Sequence, residues 1–347
     1  MLADQVDFVI GVDTHRDAHA LGLIAAATAG VLLERQVPAA GPGYARALAL
    51  AEQHAPGRRL WAIEGTGSYG AGLCRFLQAH GERVVEVDRP RRERRSSAKT
   101  DALDALRAAR SVLGREQLAA PRAGGRREAL RALMRSRAGS LQAKRAGLCQ
   151  LRALLLCCPE PLRAELRTLT RARLLRRLAS LRPDQHHDRD LRGLLLSLRT
   201  LARRVNYLTA EERELKAEIE GLVAELAPQL LAEPGIGPVS AAQLVISWSH
   251  HGRLRGEAAF ARLGAAAPIP ASSGQTVRHR LDPGGDRQLN RALHTIIISR
   301  RKTHAETIAY ITRKTSEGKT VREAIRCLKR FLARHLFRVL EGMPQAA

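Results

Sequence analysis

Four acidic side chains stand where an α/β sheet places its chemistry. Asp13 closes a short apolar run, Asp7–Asp13, and Glu64 closes another, Leu60–Glu64. The C-terminal ends of such strands are where open α/β sheets carry functional groups. Asp101 and Asp104 lie three residues apart in a stretch of helical period, so both fall on one helix face. Four converging carboxylates can hold two Mg²⁺ ions about 4 Å apart for in-line displacement at phosphorus, and hard oxygen donors suit that ion. Each acid alone also has a plain structural explanation: strand-end carboxylates are common, and Asp101 reads equally as a helix cap. The set gains meaning in a basic chain, because an acid cluster repels a polyanion unless metal neutralises it.

A second constellation is Ser272–Ser273–Gly274, in a proline-bounded loop followed by Arg278, His279 and Arg280. A serine beside glycine can approach a phosphate closely, and the arginines can stabilise charge that develops in transesterification. A plain Ser-Gly loop is the competing explanation. The third is Pro234–Gly235–Ile236–Gly237–Pro238, a Gly-x-Gly turn ahead of a helix, whose backbone amides can meet a phosphate; a turn without any such contact fits the same residues. His15 and His19 fall on a strand-turn segment and His186–His187–Asp188 in a loop, so neither group reads as a metal site. Cys157–Cys158 reads as helix packing, and the Ser, His and Asp residues form no recognisable triad.

The elements that must position these groups follow from periodicity. Residues 7–115 alternate between strands and helices: strands at 7–13, 18–25, 31–37, 60–64 and 83–87, helices at 43–54, 69–80 and 98–113. Three strands, helix, strand, helix, strand is the order of an RNase H-like layer, and several other α/β folds share it. Between the last strand and the last helix, Asp88–Arg95, with Arg91, Arg92, Arg94 and Arg95, reads as a loop or an exposed basic edge, and Lys99 stands at the start of that helix. Residues 123–227 are rich in Ala, Leu, Arg and Glu with three-to-four spacing of Leu, predicting long paired helices, coiled-coil-like, as a spacer or assembly arm. From Pro228 the pattern turns to short helices, with terminal helices at 286–300 and 320–340. The expected domains are thus residues 1–115, 116–227 and a mostly α region 228–347.

Composition narrows the partners. The 347 residues carry 58 Lys+Arg against 34 Asp+Glu, a net charge of +24, which points to nucleic acid ahead of a membrane surface. No run of 18 uncharged apolar residues predicts a spanning helix. The acidic N-terminal stretch MLADQVDFVIGVDTH does not read as a signal peptide. Five cysteines without a C-x-x-C disfavour a disulfide framework or zinc ribbon and fit a reducing cytoplasm. Only seven of the basic residues are Lys; Arg suits phosphate contacts, but a GC-rich genome would give the same skew. With two Trp, four Tyr and five Phe, the chain is poor in the rings on which single-strand binders stack bases.

Taken together, the motifs resemble the IS110 family of transposases over nearly the whole chain. GVDTHRDAH (11–19), IEGTGSYG (63–70), KTDALDA (99–105), PGIGPVSA (234–241) and the stretch from GAAAPIPASSGQTVRHRL to GGDRQLNRAL (264–293) are similar to the family's blocks, in its order. Arg16 stands where many relatives have Lys. The resemblance implies a RuvC-like RNase H fold with a D-E-D-D site at Asp13, Glu64, Asp101 and Asp104 binding Mg²⁺ or Mn²⁺. It also implies a second domain with a nucleophilic serine, Ser273 in preference to Ser272. Further implications are double-stranded target and donor DNA, a structured non-coding guide RNA pairing with both, and dimers or tetramers in which one subunit's acids meet another's serine. The expected setting is the bacterial cytoplasm, at the nucleoid and without a membrane. Phosphate contacts are expected from Arg91, Arg92, Arg94, Arg95, Lys99, Gly235, Gly237, Arg278 and Arg280. Two rivals remain open on the residues: a RuvC-like Holliday-junction endonuclease that hydrolyses DNA without the serine, and a non-enzymatic nucleic-acid-binding scaffold.

Overall fold

A computed structural model describes residues 4–87, 100–115, 118–122, 124–271 and 279–343. These residues form two compact units. One runs to Gly125 and takes in Trp248–Arg262; the other holds Arg126–Ser247 and Leu263–Met343.

The first unit is built on a five-stranded mixed sheet. In chain order come β1 (Phe8–Thr14), β2 (Ala18–Ala25), β3 (Val31–Pro38), α1 (Gly41–His54), β4 (Arg59–Glu64), α2 (Ala71–Ala79), β5 (Val84–Val87) and α3 (Asp101–Leu113). The sheet order is β3-β2-β1-β4-β5. β1–β2 and β2–β3 are antiparallel, whereas β1–β4 and β4–β5 are parallel. This mixed sheet, followed by mostly helical segments, is consistent with an RNase H-like domain.

Both faces of the central strands are buried, so their side chains alternate between two cores. Ile10, Val12, Leu21, Leu23, Trp61 and Ile63 enter the core that contains Leu48 of α1 and Leu73 and Leu77 of α2. Val9, Ile24, Leu60, Ala62 and Val85 enter the other, with Leu106, Ala109 and Val112 of α3. Beneath β4, Arg59 and the Trp61 indole both bond the Glu82 carboxylate (2.8 Å from Arg59 Nε and from Trp61 Nε1). Burial pushes that carboxyl up, but these two hydrogen bonds and the Arg59 charge outweigh it, and Glu82 ends below its ordinary value.

α3 lies directly on the sheet because glycines face it. Gly11 and Gly22 are cross-strand partners in β1 and β2. A Cβ on Gly11 would fall on the Ala105 carbonyl oxygen and 2.5 Å from the Ala109 amide nitrogen, both rigid helix backbone. A Cβ on Gly22 would come 2.8 Å from Leu106 Cδ2, the mobile end of a side chain. Gly11→Ala is therefore expected to destabilise this unit by about 3 kcal/mol and Gly22→Ala by about 1 kcal/mol. Denaturant titration followed by tryptophan fluorescence checks this, since Trp61 and Trp248, the two tryptophans, both lie in this unit. Equal effects from the two substitutions would contradict the close-approach account.

The segment Trp248–Arg262 is tied to the sheet through Glu86 of β5. That buried carboxylate lies 3.1 Å from Arg122 Nε and 3.6 Å from an Arg253 nitrogen.

The second unit begins with α4 (Arg126–Leu156), α5 (Glu160–Arg167), α6 (Arg171–Ala179) and α7 (Arg189–Leu226). α4 and α7 run antiparallel: Arg137 meets Glu212 at 2.7 Å, Ser140 donates to Glu211 at 2.5 Å, and Arg126 near one end meets Glu225 at 3.2 Å. Toward the other end, Leu151 of α4 shares an apolar core with Leu166 of α5, Leu178 of α6 and Leu195 and Leu198 of α7. The chain continues with α8 (Pro228–Ala232), α9 (Pro238–Trp248), α10 (Glu257–Leu263), β6 (Ile269–Pro270), β7 (His279–Arg280), α11 (Arg287–Thr303), α12 (Ala305–Ser316) and α13 (Val321–Glu341). β6 and β7 pair antiparallel within the stretch expected to be a polar loop. α12 was not expected from the sequence; its N-cap is His304, whose Nδ1 accepts from the Thr307 amide. Among the described residues, no helix is long and apolar enough to cross a membrane.

Candidate metal centre and its surroundings

The alternation that fills the two cores also aims the acids. Val9 and Gly11 face α3, so Asp13, two residues on, continues that row. Leu60 and Ala62 do the same in β4 and are continued by Glu64. The parallel register ends with Val12 opposite Ile63, one step before Asp13 and Glu64. Thr14 Oγ1 donates to the Glu64 carbonyl at 3.0 Å and holds the two strand ends together.

α3 completes the site from above. Its N-cap is Thr100, not Asp101: the threonine hydroxyl accepts from the Leu103 amide at 3.4 Å. Asp101 and Asp104 thus sit in the first turn, where the positive end of the helix dipole favours carboxylates. Because α3 is pressed onto Gly11, its N-terminus comes to the end of β1.

The result is a group of three side chains, Asp13, His15 and Asp101, each offering a ligand atom, all within 4.8 Å of one another. His15 Nε2 lies 3.1 Å from Asp13 Oδ2 and 3.5 Å from Asp101 Oδ1. Asp13 is mostly covered, its side chain 13% exposed, whereas Asp101 and His15 are open at 50% and 47%. Two carboxylates and an imidazole around one opening suit a divalent cation, with oxygen donors for Mg²⁺ and the nitrogen favouring Mn²⁺. Glu64 and Asp104 are not in this trio; the Asp104 carboxylate is engaged by Arg107 at 2.8 Å, one turn along α3.

His15 was set aside on sequence, since its spacing to His19 suggested no site. The structure separates the pair. His19 turns into the opposite core, fully buried and stacked on Tyr44 at 5.9 Å, and burial lowers its pKa. The signal that would have found His15 is its place two residues past Asp13, on the same side of the chain as it leaves β1.

Ser272, Ser273 and Arg278 lie outside the described residues, as do Arg91, Arg92, Arg94, Arg95 and Lys99. Arg280 is exposed on β7. Gly235 has φ +74°, a conformation glycine adopts without strain. There it packs under Arg300 of α11, whose Nε donates to the Pro234 carbonyl at 2.6 Å and which also meets Glu233 at 3.0 Å. The turn is thus anchored within the unit, and nothing lies within 4 Å of a Cβ placed on Gly237.

Comparison with known proteins bears on this arrangement. A family model described as "Transposase", of the IS110 DEDD type, matches residues 10–158 and so covers all four acids. A second, described as "Transposase IS116/IS110/IS902 family", matches residues 227–312 and spans Ser272 and Ser273. The "Insertion element IS110 uncharacterized 43.6 kDa protein" of Streptomyces coelicolor is 29% identical over 144 residues, 41% of this chain. That match spans 36% of the relative's own length. The two family models fall in order along the chain without overlap, both carry the IS110 name, and the chain belongs to the IS110 family of transposases.

Proposed function

We propose that the chain is a DNA recombinase of an insertion sequence that cuts and rejoins strands with two sets of groups. One is the acidic site of the α/β unit, the other Ser273. The observation that carries the reading is the convergence of Asp13 and Asp101, from a strand end and a helix N-terminus far apart in sequence, with His15 between them.

The residues fit a divalent cation. Asp13 and Asp101 would hold it, with Glu64 and Asp104 completing the D-E-D-D set. Bound there, Mg²⁺ or Mn²⁺ would supply Lewis-acid stabilisation of charge on the phosphate and leaving oxygen. The protein's own part would be placement: Asp13 and Glu64 stand at the ends of β1 and β4, and the glycine saddle under α3 brings Asp101 to Asp13.

For the serine, the reaction is transesterification. The Ser273 Oγ–P bond forms as a strand P–O bond breaks, the hydroxyl proton passes to a base, and the leaving strand end takes up a proton as a free hydroxyl. The phosphodiester is conserved as a serine ester, so a hydroxyl end from a second DNA can attack it and release the serine. Arg278 and Arg280 would stabilise the charge on phosphorus oxygens.

The wider reading includes target and donor duplexes, a structured RNA that pairs with both, and a dimer or tetramer assembled through the α4–α7 arm. It divides the chain into residues 1–115 for the acidic site, 116–227 for the arm and 228–347 for the serine. The basic edge around Arg91, Arg92, Arg94, Arg95 and Lys99, with the Gly235–Gly237 turn, would hold backbones, at the nucleoid of the cell. The test is to isolate the full chain with its bound nucleic acid, sequence that RNA, and supply DNA carrying the element's ends with and without Mg²⁺. One discrete RNA and metal-dependent strand transfer are expected. Cleavage that ignores the metal, or binding without any cleavage, would overturn the reading.

A further inference from the structure

The second unit holds a cavity of about 710 Å³, of whose lining the catalytic reading uses only Arg280. It is walled by β7 with the residues that follow it, by Asn290 of α11, and by α12 and α13. Its volume lies in the range of about 300–1,000 Å³ typical of small-ligand sites.

Two features of the lining point to one ligand. The first is charge. Arg280, Lys319, Arg326 and Arg330 line it; Lys319 and Arg326 lie near enough to Glu323 to help lower its pKa, but among the described residues none of the four forms a direct salt bridge. The acids in the wall are already committed. Glu323 accepts from the Thr320 amide and hydroxyl, and Asp282 accepts from the Gly284 amide. Lys329 is half-buried there, its Nζ donating to Asn290 Oδ1 at 3.0 Å, and burial lowers its pKa.

The second feature is aromatic. Tyr310 and Phe331 meet edge to face in the same wall, 6.1 Å between centroids, and Phe331 is 54% exposed although it is a large apolar ring. In a chain so poor in aromatics, an exposed Phe331 ring backed by the half-buried Tyr310, with Arg326 and Arg330 in the same wall, is the pattern that stacks a base and holds its phosphate.

We propose that this cavity receives one unstacked nucleotide of a single-stranded segment, its base against Phe331 and its phosphate among Arg326, Lys329 and Arg330. The inference rests on the nucleic-acid reading above and deepens it: most contacts hold backbones, but this one reads a base face. A duplex keeps its bases stacked and cannot supply that ligand.

The test uses the full chain and short single-stranded oligonucleotides, one DNA and one RNA, each with a central 2-aminopurine, beside a duplex of the same length. Phe331→Ala is expected to weaken single-strand binding about 5- to 100-fold and abolish the change in 2-aminopurine fluorescence. Duplex affinity should stay unchanged, and Phe331→Trp should restore single-strand binding. Because Phe331 is exposed, an unaltered thermal melt shows the variant folded. The stronger of the DNA and RNA arms identifies the strand that supplies the nucleotide. If Phe331→Ala binds single strands as wild type does while wild type still cuts DNA with metal, the cavity inference alone falls. If wild type neither binds nor cuts, both readings fall.

Discussion

Asp13→Asn is expected to reduce metal-dependent strand cleavage by about 10³-fold or more, because losing metal-assisted charge stabilisation costs several kcal/mol of barrier. The substitution keeps shape and removes only the charge. Asp13 continues the α3-facing row of β1 and its side chain is mostly covered, so an amide of equal volume leaves the packing intact. His15 and Asp101, which face it, lose the donor that closes their trio. Mn²⁺ titration followed by electron paramagnetic resonance should show weakened metal binding at an unchanged melting temperature. Full cleavage with weakened metal binding would mean that this cation site is not the catalytic one.

Ser273→Ala should abolish strand transfer altogether while sparing nucleic-acid binding. One hydroxyl is removed, and no basic side chain is touched. On the proposed reading the acids do not substitute, because hydrolysis leaves a free phosphate end whereas the serine ester keeps that end's phosphodiester energy for rejoining it. Ser272→Ala is the matching control and should retain transfer. Transposition of a marked element in cells, with each variant, measures both. Full transposition by Ser273→Ala would remove the serine from the mechanism and favour a hydrolytic endonuclease.

Much of the sheet is legible in the sequence because both faces are buried. Runs such as Phe8–Val12 and Leu60–Ile63 then read as continuous apolar strands, and the acids that end them are conspicuous. The glycine saddle was less visible: Gly11 and Gly22 become informative only when the β1–β2 register places them side by side under α3. His15 escaped for a related reason. Its partner Asp101 is brought to it by a helix docking over the sheet, a contact that no local spacing encodes. The same holds for Trp248–Arg262, which joins the first unit through the ion pair between Arg253 and Glu86. In the second unit, α12 was hidden because a single residue, His304, separates it from α11. Aromatic scarcity argued against base stacking for the whole chain. That average concealed the pairing of Tyr310 with Phe331 in one wall.

The proposed reaction is a metal-dependent covalent exchange through Ser273. Its most direct measurement is mass spectrometry of the protein after reaction with element-end DNA in Mg²⁺, quenched before rejoining and digested to peptides. A nucleotide esterified to Ser273 is expected in wild type, and it should be missing when Mg²⁺ is withheld or in Asp13→Asn. Cleaved DNA with no residue of the protein modified, or an adduct formed equally well without metal, would contradict it.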